Sequence, residues 1–279
     1  MNKKIAIVLA SILVLVCLVS SISAISKSGD KKKPKEDVTT TTISATTTTT
    51  TTASTTEAFV RSDIKEGDKL VALTFDDGPY APVTNDILDV LEKNGAVATF
   101  YVVGNRVDSY HECVERGNKL GCEYGCHTFS HINLTHLSPD QMKIEVSKTN
   151  DVIKKYTGKP VYNVRPPEGG VNDSVKESVD YPLVLWSVDS LDWKNRNADR
   201  DYHEVVDYVN DGSIVLMHDL YPATAEAVAK IVPELKAEGY KFVTVSELMK
   251  YRNVDFTSGY TYSSAKPTPV EENTSAEAE

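Results

Sequence analysis

The chain is short of positive charge. Its 279 residues carry 30 Lys and Arg against 40 Asp and Glu, a formal net charge of −10, with a sequence pI of about 5.2. A nucleic-acid binder shows a basic footprint, so that class is set aside and the acidity is read as solubility. Cysteine is scarce too, with four residues in all. Cys17 lies in an apolar run. That leaves Cys113, Cys122 and Cys126, an odd number, so one stays free or pairs elsewhere. Residues 39–56 lack the apolar side chains a core requires: 13 of the 18 are Thr. Such a tract reads as an extended stalk.

What is present suffices for a substantial core, with 41% hydrophobic residues, in one large domain or two small ones. Met1-Asn2-Lys3-Lys4 precedes an uncharged run of 22 residues, Ile5 to Ser26, rich in Ile, Val and Leu. About 20 apolar residues span a bilayer. A cleaved signal peptide has a shorter apolar core, although Ile22-Ser23-Ala24 offers a small-residue cleavage site. Residues 1–26 are therefore expected to be a retained signal-anchor or else a cleaved signal peptide, and either places the remainder outside the cytoplasm. Residues 27–60 are expected to be a disordered Thr-rich linker, 61–253 a folded domain, and 254–279, polar with Pro267, Pro269 and several Glu, a disordered tail.

The folded part alternates strand and helix patterns. Strands are expected at Leu70–Phe75, Ala98–Val102, Glu123–Cys126, Val161–Val164, Leu183–Ser187 and Ile214–Met217. Helices are expected at Val83–Asn94, Ser109–Lys119, Tyr202–Asn210, Thr224–Glu238 and Ser246–Tyr251. Ser138-Pro139-Asp140-Gln141 is a capping box that opens a long helix to about Thr157, closed by Gly158. Repeated β-then-α units imply an α/β fold with about seven parallel strands, a barrel or an open doubly wound sheet. Both place ligands at the C-terminal strand ends, where Asp76, Asp77, His127 and His218 all fall.

Thr74-Phe75-Asp76-Asp77-Gly78-Pro79 puts two carboxylates side by side at a strand end. Close carboxylates repel unless something positive lies beside them, and a metal ion is the simplest such partner. His127-Thr128-Phe129-Ser130-His131 offers two imidazoles four residues apart, which on a helical turn would share a face. With Asp77 they make one carboxylate and two His, the three-ligand pattern of a catalytic site. The set suits Zn²⁺, and Co²⁺, Ni²⁺ or Mn²⁺ occupy similar N/O sites. Arg165-Pro166-Pro167-Glu168-Gly169-Gly170, Asp189-Ser190-Leu191-Asp192-Trp193 and Leu216-Met217-His218 end three further strands.

These five ordered segments, from Thr74 to His218, closely resemble the polysaccharide deacetylases (carbohydrate esterase family 4), and the resemblance runs to about Tyr251. It implies a distorted (β/α) barrel and a catalytic domain over 61–253 that hydrolyses N-acetyl groups with one divalent metal. It implies Asp77, His127 and His131 as metal ligands and Asp76 as the base that deprotonates water. Arg165 would orient Asp76, and Asp192 would hold Arg165. Trp193 and Leu216 would shape the acetyl pocket, and His218 would protonate the leaving amine. Asp219 or another carboxylate would keep His218 charged. The Glu168 backbone N–H would help stabilise the oxyanion. Glu168 itself departs from the aromatic residue usual in the family, and is expected to tune substrate choice.

With the anchor and stalk, the expected substrate is N-acetylglucosamine in peptidoglycan, acted on by an enzyme monomer at the cell envelope. Chitin oligosaccharides and acetylxylan are alternatives, as is a non-catalytic wall-binding module. Cys122, Tyr124 and Cys126 share one strand face opposite His127. Cys113–Cys122 or Cys113–Cys126 disulfides, or buried free thiols, are all compatible with that pattern.

Overall fold

The computed structural model describes residues 61–266. The expected anchor, the linker, Cys17 and the end of the tail lie outside them. Among the described residues no helix is long and apolar enough to cross a membrane. The first half comprises β1 (Lys69–Asp76), α1 (Ala81–Asn94), β2 (Thr99–Val102), α2 (Gly104–Val107), α3 (His111–Lys119), β3 (Glu123–Cys126) and α4 (Pro139–Thr157). Then come α5 (Asp173–Ser178), β4 (Leu183–Val184), β5 (Val188–Asp189), α6 (Asp192–Asn195), α7 (Ala198–Val206) and β6 (Ser213–His218). The last elements are α8 (Pro222–Ala237), β7 (Tyr240–Phe242), α9 (Val245–Tyr251) and β8 (Thr261–Tyr262).

This is an α/β fold on a parallel sheet. The strands run β3-β2-β1-β6-β5, and β7 also pairs with β1. Isolated parallel bridges join Val164 to Cys126 on one side and to Leu183 on the other. β1 lies at the centre because both its faces are apolar, as a doubly covered parallel strand requires. Its side chains alternate between two clusters: Val71, Leu73 and Phe75 pack in one, while Leu70 and Ala72 pack in the other with Tyr101 and Ile214. Across the sheet Phe75 stacks on Phe100 at 5.1 Å, and Phe100 on Tyr124 at 5.6 Å. Each such contact is worth about 0.5–1.5 kcal/mol beyond burial.

The capping box forms as expected. Ser138 Oγ accepts from Gln141 N, the Ser138 N–H donates to Gln141 Oε1, and Gly158 closes α4 at φ 73°. Three expectations change. Val161–Val164 contributes a single bridge residue rather than a strand. Of Leu183–Ser187 only Leu183–Val184 remains strand, as β4, and β5 starts beyond it at Val188, because Leu185 N–H turns to Tyr262 and Ser187 N–H to Ile214. The start of the expected tail is structured: β8 pairs in parallel with β4 and Ala265 is buried. Of the alternatives left open for the cysteines, Cys113, Cys122 and Cys126 take that of buried free thiols. Tyr124, which shares their strand face, reaches α3 to donate to the Cys113 carbonyl, while Cys113 Sγ faces Asn85. Burial pushes Cys122 and Cys126 up to about 12, which keeps thiolate chemistry out of this region.

Candidate active site

Alternation along β1 sends Asp76 to the face that carries Leu70, Ala72 and Thr74. Asp77 follows the strand with φ 72°, a left-handed turn that brings its carboxylate back beside that of Asp76. Among the described residues seven non-glycine positions have positive φ: Asp77, Thr128, His131, Glu168, Leu191, Arg196 and Asn253. All but Arg196 and Asn253 lie in the segments that build this site. A left-handed non-glycine residue costs about 1–3 kcal/mol and survives where the surroundings impose it. The strain is therefore concentrated here.

His127 and His131 do come together, but not through a helical turn. The chain between them is irregular and is folded back by the positive φ of Thr128 and His131. His127 Nδ1 lies 2.7 Å from the Arg165 carbonyl. A carbonyl only accepts, so Nδ1 carries the proton and Nε2 presents its lone pair. That lone pair faces Asp77 Oδ1 at 3.3 Å, and His131 Nε2 faces the same oxygen at 2.9 Å. Neither approach has hydrogen-bond geometry, so this buried oxygen has no donor. A cation between these three groups would satisfy the unpaired oxygen and both ring nitrogens. One ligand atom from each of Asp77, His127 and His131 lies within 4.8 Å of the others, so the residues present fit a metal ion. Burial acts to raise the Asp77 carboxyl, but the two histidines outweigh it and hold it well below the usual range. The close contact with Asp77 raises His131 in turn.

Asp76 is held on one side only. Arg165 Nη1 donates to its Oδ1 at 2.7 Å, while Oδ2 stands 3.7 Å from His127 Nε2. Arg165 is fully buried. It donates to Thr74 Oγ1 and to the carbonyls of Val184 and Leu185, and its Cζ sits 4.1 Å from the Tyr101 ring centre. The expected Asp192–Arg165 contact is absent. Asp192 takes His218 instead: its Oδ1 accepts from His218 Nδ1 and from the Trp193 N–H, and its Oδ2 from the His218 N–H and Thr224 Oγ1, all at 2.7 Å. Burial alone would lower His218, but Asp192 outweighs it, Asp76 and Asp77 add to the effect, and the group rises to about 9.

Asp219 is not the partner of His218. It turns away to accept from Thr84 Oγ1 at 2.6 Å, and burial, with Asp77 nearby, pushes it up to about 7. Its carboxylate also fills the space against Gly78. A Cβ added there would lie 2.1 Å from Asp219 Oδ2. Gly78→Ala is therefore expected to cost about 1–3 kcal/mol, read as a lowered thermal midpoint. An unchanged midpoint would mean that this turn has room to move.

Asp76, Asp77, His127, His131, Glu168, Trp193, Leu216 and His218 line one cleft of about 410 Å³, together with Trp186 and Asp189. Those last two were missed from the sequence. Asp189 stands in the quoted Asp189-Ser190-Leu191-Asp192-Trp193 segment, but Trp186 sits in an apolar run with nothing to mark it. Arg165 and Asp192 lie behind the wall. Glu168 is exposed, with Oε2 accepting from Asn133 Nδ2 at 2.9 Å. Trp193 is 48% exposed, a broad apolar face at the rim.

A carboxylate held by a buried arginine and an imidazole held by a buried carboxylate, beside a cluster able to hold an ion, form the kind of group set used by hydrolases that activate water with a metal. Comparison with known proteins leads to the same class. The polysaccharide deacetylase family profile matches residues 63–182. The chain is 42% identical over 185 residues to the peptidoglycan-N-acetylmuramic acid deacetylase PdaC of Bacillus subtilis, covering 66% of this chain and 40% of that protein. It is 36% identical over 203 residues to a peptidoglycan-N-acetylglucosamine deacetylase of Bacillus cereus, covering 70% and 95%. The structure of a family 4 acetyl xylan esterase from Clostridium thermocellum, in complex with a cobalt ion, superposes with a TM-score of 0.68 at 38% identity, covering 72% and 100%. The chain belongs to the polysaccharide deacetylase family, and it spans about 40% of the length of the Bacillus subtilis relative.

Proposed function

We propose that this protein removes N-acetyl groups from N-acetylglucosamine residues of peptidoglycan. A carboxylate held by Arg165 and an imidazole held by Asp192, beside the Asp77–His127–His131 cluster, carry that reading. The sheet, closed toward Val164 by bridges, supports a distorted barrel whose strand ends present these groups. Asp77, His127 and His131 would hold a divalent ion, zinc or a similar cation, which supplies polarisation of the amide carbonyl and a lowered pKa for water. Asp76 takes the proton of the attacking water on its free Oδ2, while the Arg165 bond to Oδ1 orients the carboxylate. The Glu168 N–H supports the oxyanion. His218, protonated at neutral pH and oriented through Nδ1 by Asp192, delivers its proton to the departing amine. Leu216, Trp186 and Trp193 exclude water from the acetyl group. Residues 1–26 would hold the domain on the outer face of the membrane, or direct its secretion, with 27–60 as spacer.

The names of the Bacillus relatives support the polymer, and that of the Clostridium esterase supports acetylxylan as the second reading. Release of acetate from purified peptidoglycan, chitin oligomers and acetylxylan tests both. The expected result is fastest release from peptidoglycan, abolished by a chelator and restored by zinc or cobalt. Faster release from chitin or acetylxylan overturns the substrate. No release from any of the three favours a wall-binding module without catalysis.

A further inference from the structure

The cleft is lined by acids, Asp76, Asp77, Glu168 and Asp189, and the guanidinium of Arg165 behind it is already committed to Asp76. An anionic substituent on the polymer would be repelled by this rim. A cation outside that lining stands next to His218, through an aromatic ring. Arg196 closes α6 in a left-handed conformation at φ 49°, and its Cζ lies 3.0 Å from the centre of the Tyr221 ring. That ring is in turn 6.1 Å from the imidazole of His218. The Arg196 side chain is exposed, and no hydrogen bond or ion pair holds its guanidinium. Asp201 feels its charge but is fully buried and does not pair with it.

A guanidinium resting on an aromatic face keeps its N–H donors at its edge, where they match a carboxylate bidentately. The stacked ring and the fixed backbone reduce the entropy that an exposed arginine loses on binding. The left-handed conformation at Arg196 caps α6, its N–H donating to the Asp192 carbonyl, and so fixes the backbone that presents the guanidinium. We infer that Arg196 on Tyr221 forms a subsite for a carboxylate carried by the substrate next to the reacting sugar. This rests on the peptidoglycan reading above. In that polymer alternate sugars bear peptides with free carboxylates, whereas chitin and acetylxylan are neutral. The arrangement orients the chain, with the carboxylate-bearing neighbour on the His218 side and away from Glu168.

Steady-state deacetylation by the full chain tests the subsite, using soluble peptidoglycan fragments with free carboxylates and the same fragments after carboxyl amidation. For Arg196→Gln the KM on free-carboxylate fragments is expected to rise about five- to tenfold with kcat kept, and on amidated fragments to stay unchanged. Arg196→Lys is expected to fall between, having a point charge without the planar fork. Added salt is expected to erode the advantage of the wild type on the charged fragments alone. A wild type active on both forms, with Arg196→Gln altering both KM values equally or neither, overturns this inference and leaves the deacetylase reading standing. A wild type inactive on both forms but active on chitin or acetylxylan overturns the peptidoglycan reading, and this subsite with it. A matching thermal midpoint of the variants excludes misfolding as the cause.

Discussion

Asp76→Asn is expected to keep the metal and lose turnover by about 10²- to 10⁴-fold, whereas Asp77→Ala is expected to lose the metal itself. Two neighbouring carboxylates separate this sharply because the backbone treats them differently. Asp76 sits on the inner face of β1 with one oxygen fixed by Arg165 at 2.7 Å. Asparagine reproduces its shape and still accepts that bond through its amide oxygen, but cannot take a proton from water. Asp77 follows the strand at φ 72° and sets its Oδ1 against both imidazoles, so alanine leaves the two histidines without their anionic partner. Elemental analysis after exhaustive dialysis reads the first property, and initial rates of acetate release read the second. If Asp76→Asn bound no metal while Asp77→Ala bound it and stayed inactive, the two roles would be exchanged. Thermal midpoints are needed alongside. Arg165 is buried, and depriving a buried charge of its partner costs about 3–5 kcal/mol. Asn at position 76 is expected to stay well below that cost and Ala there to approach it.

The parts of this site that could be read from the sequence share a physical property: each is set by local chemistry. The Asp76-Asp77 pair, the His127–His131 spacing and the capping box at Ser138 are short-range patterns, and the five ordered segments fixed their association. The errors came from contacts made across the fold. Asp192 and Arg165 both lie behind the cleft wall, and sequence order cannot tell which buried acid meets which buried base. The structure pairs Asp192 with His218 because α6 starts at Asp192 beside the end of β6. Asp219, next to His218 in the chain, points to Thr84, because successive residues at a strand end diverge. The same logic hid Trp186, whose run looked like a plain buried strand. It also hid β8, whose two residues have no pattern of their own and are ordered by pairing with β4. The expectation of a helical turn at His127–His131 gave the right neighbours for the wrong reason. Left-handed residues, not a 3.6-residue period, bring the rings together, and nothing in Thr128 or His131 announces a positive φ.

The correction at Asp192 carries the second large prediction. His218 is mostly buried, with its side chain 12% exposed, and burial by itself would favour the neutral ring. Asp192 reverses that, so the imidazole stays protonated until about pH 9. Asp192→Asn removes the charge while leaving a group of the same size. His218 then falls back toward or below its ordinary 6.5, and at pH 7–8 most of the variant lacks the proton its leaving group needs. Turnover at pH 7.5 is expected to drop about 10²- to 10⁴-fold, and the basic limb of the log kcat profile to move to lower pH. A cation at Asp77 opposes the help that Asp77 gives His218, so in the metal-loaded enzyme the wild-type limb falls below 9, but it still lies above that of the variant. Stability follows the same sign. A folded-state pKa raised above the unfolded value stabilises fully below about pH 6.5, and that contribution is lost as pH rises through about 9. The wild type is therefore expected to exceed Asp192→Asn in stability by up to about 3 kcal/mol at pH 6, and the gap is expected to narrow by pH 10. Urea titrations at the two pH values measure it. A gap that does not change with pH would mean that Asp192 serves His218 as a neutral acceptor only, and the acid would then owe its proton to another group.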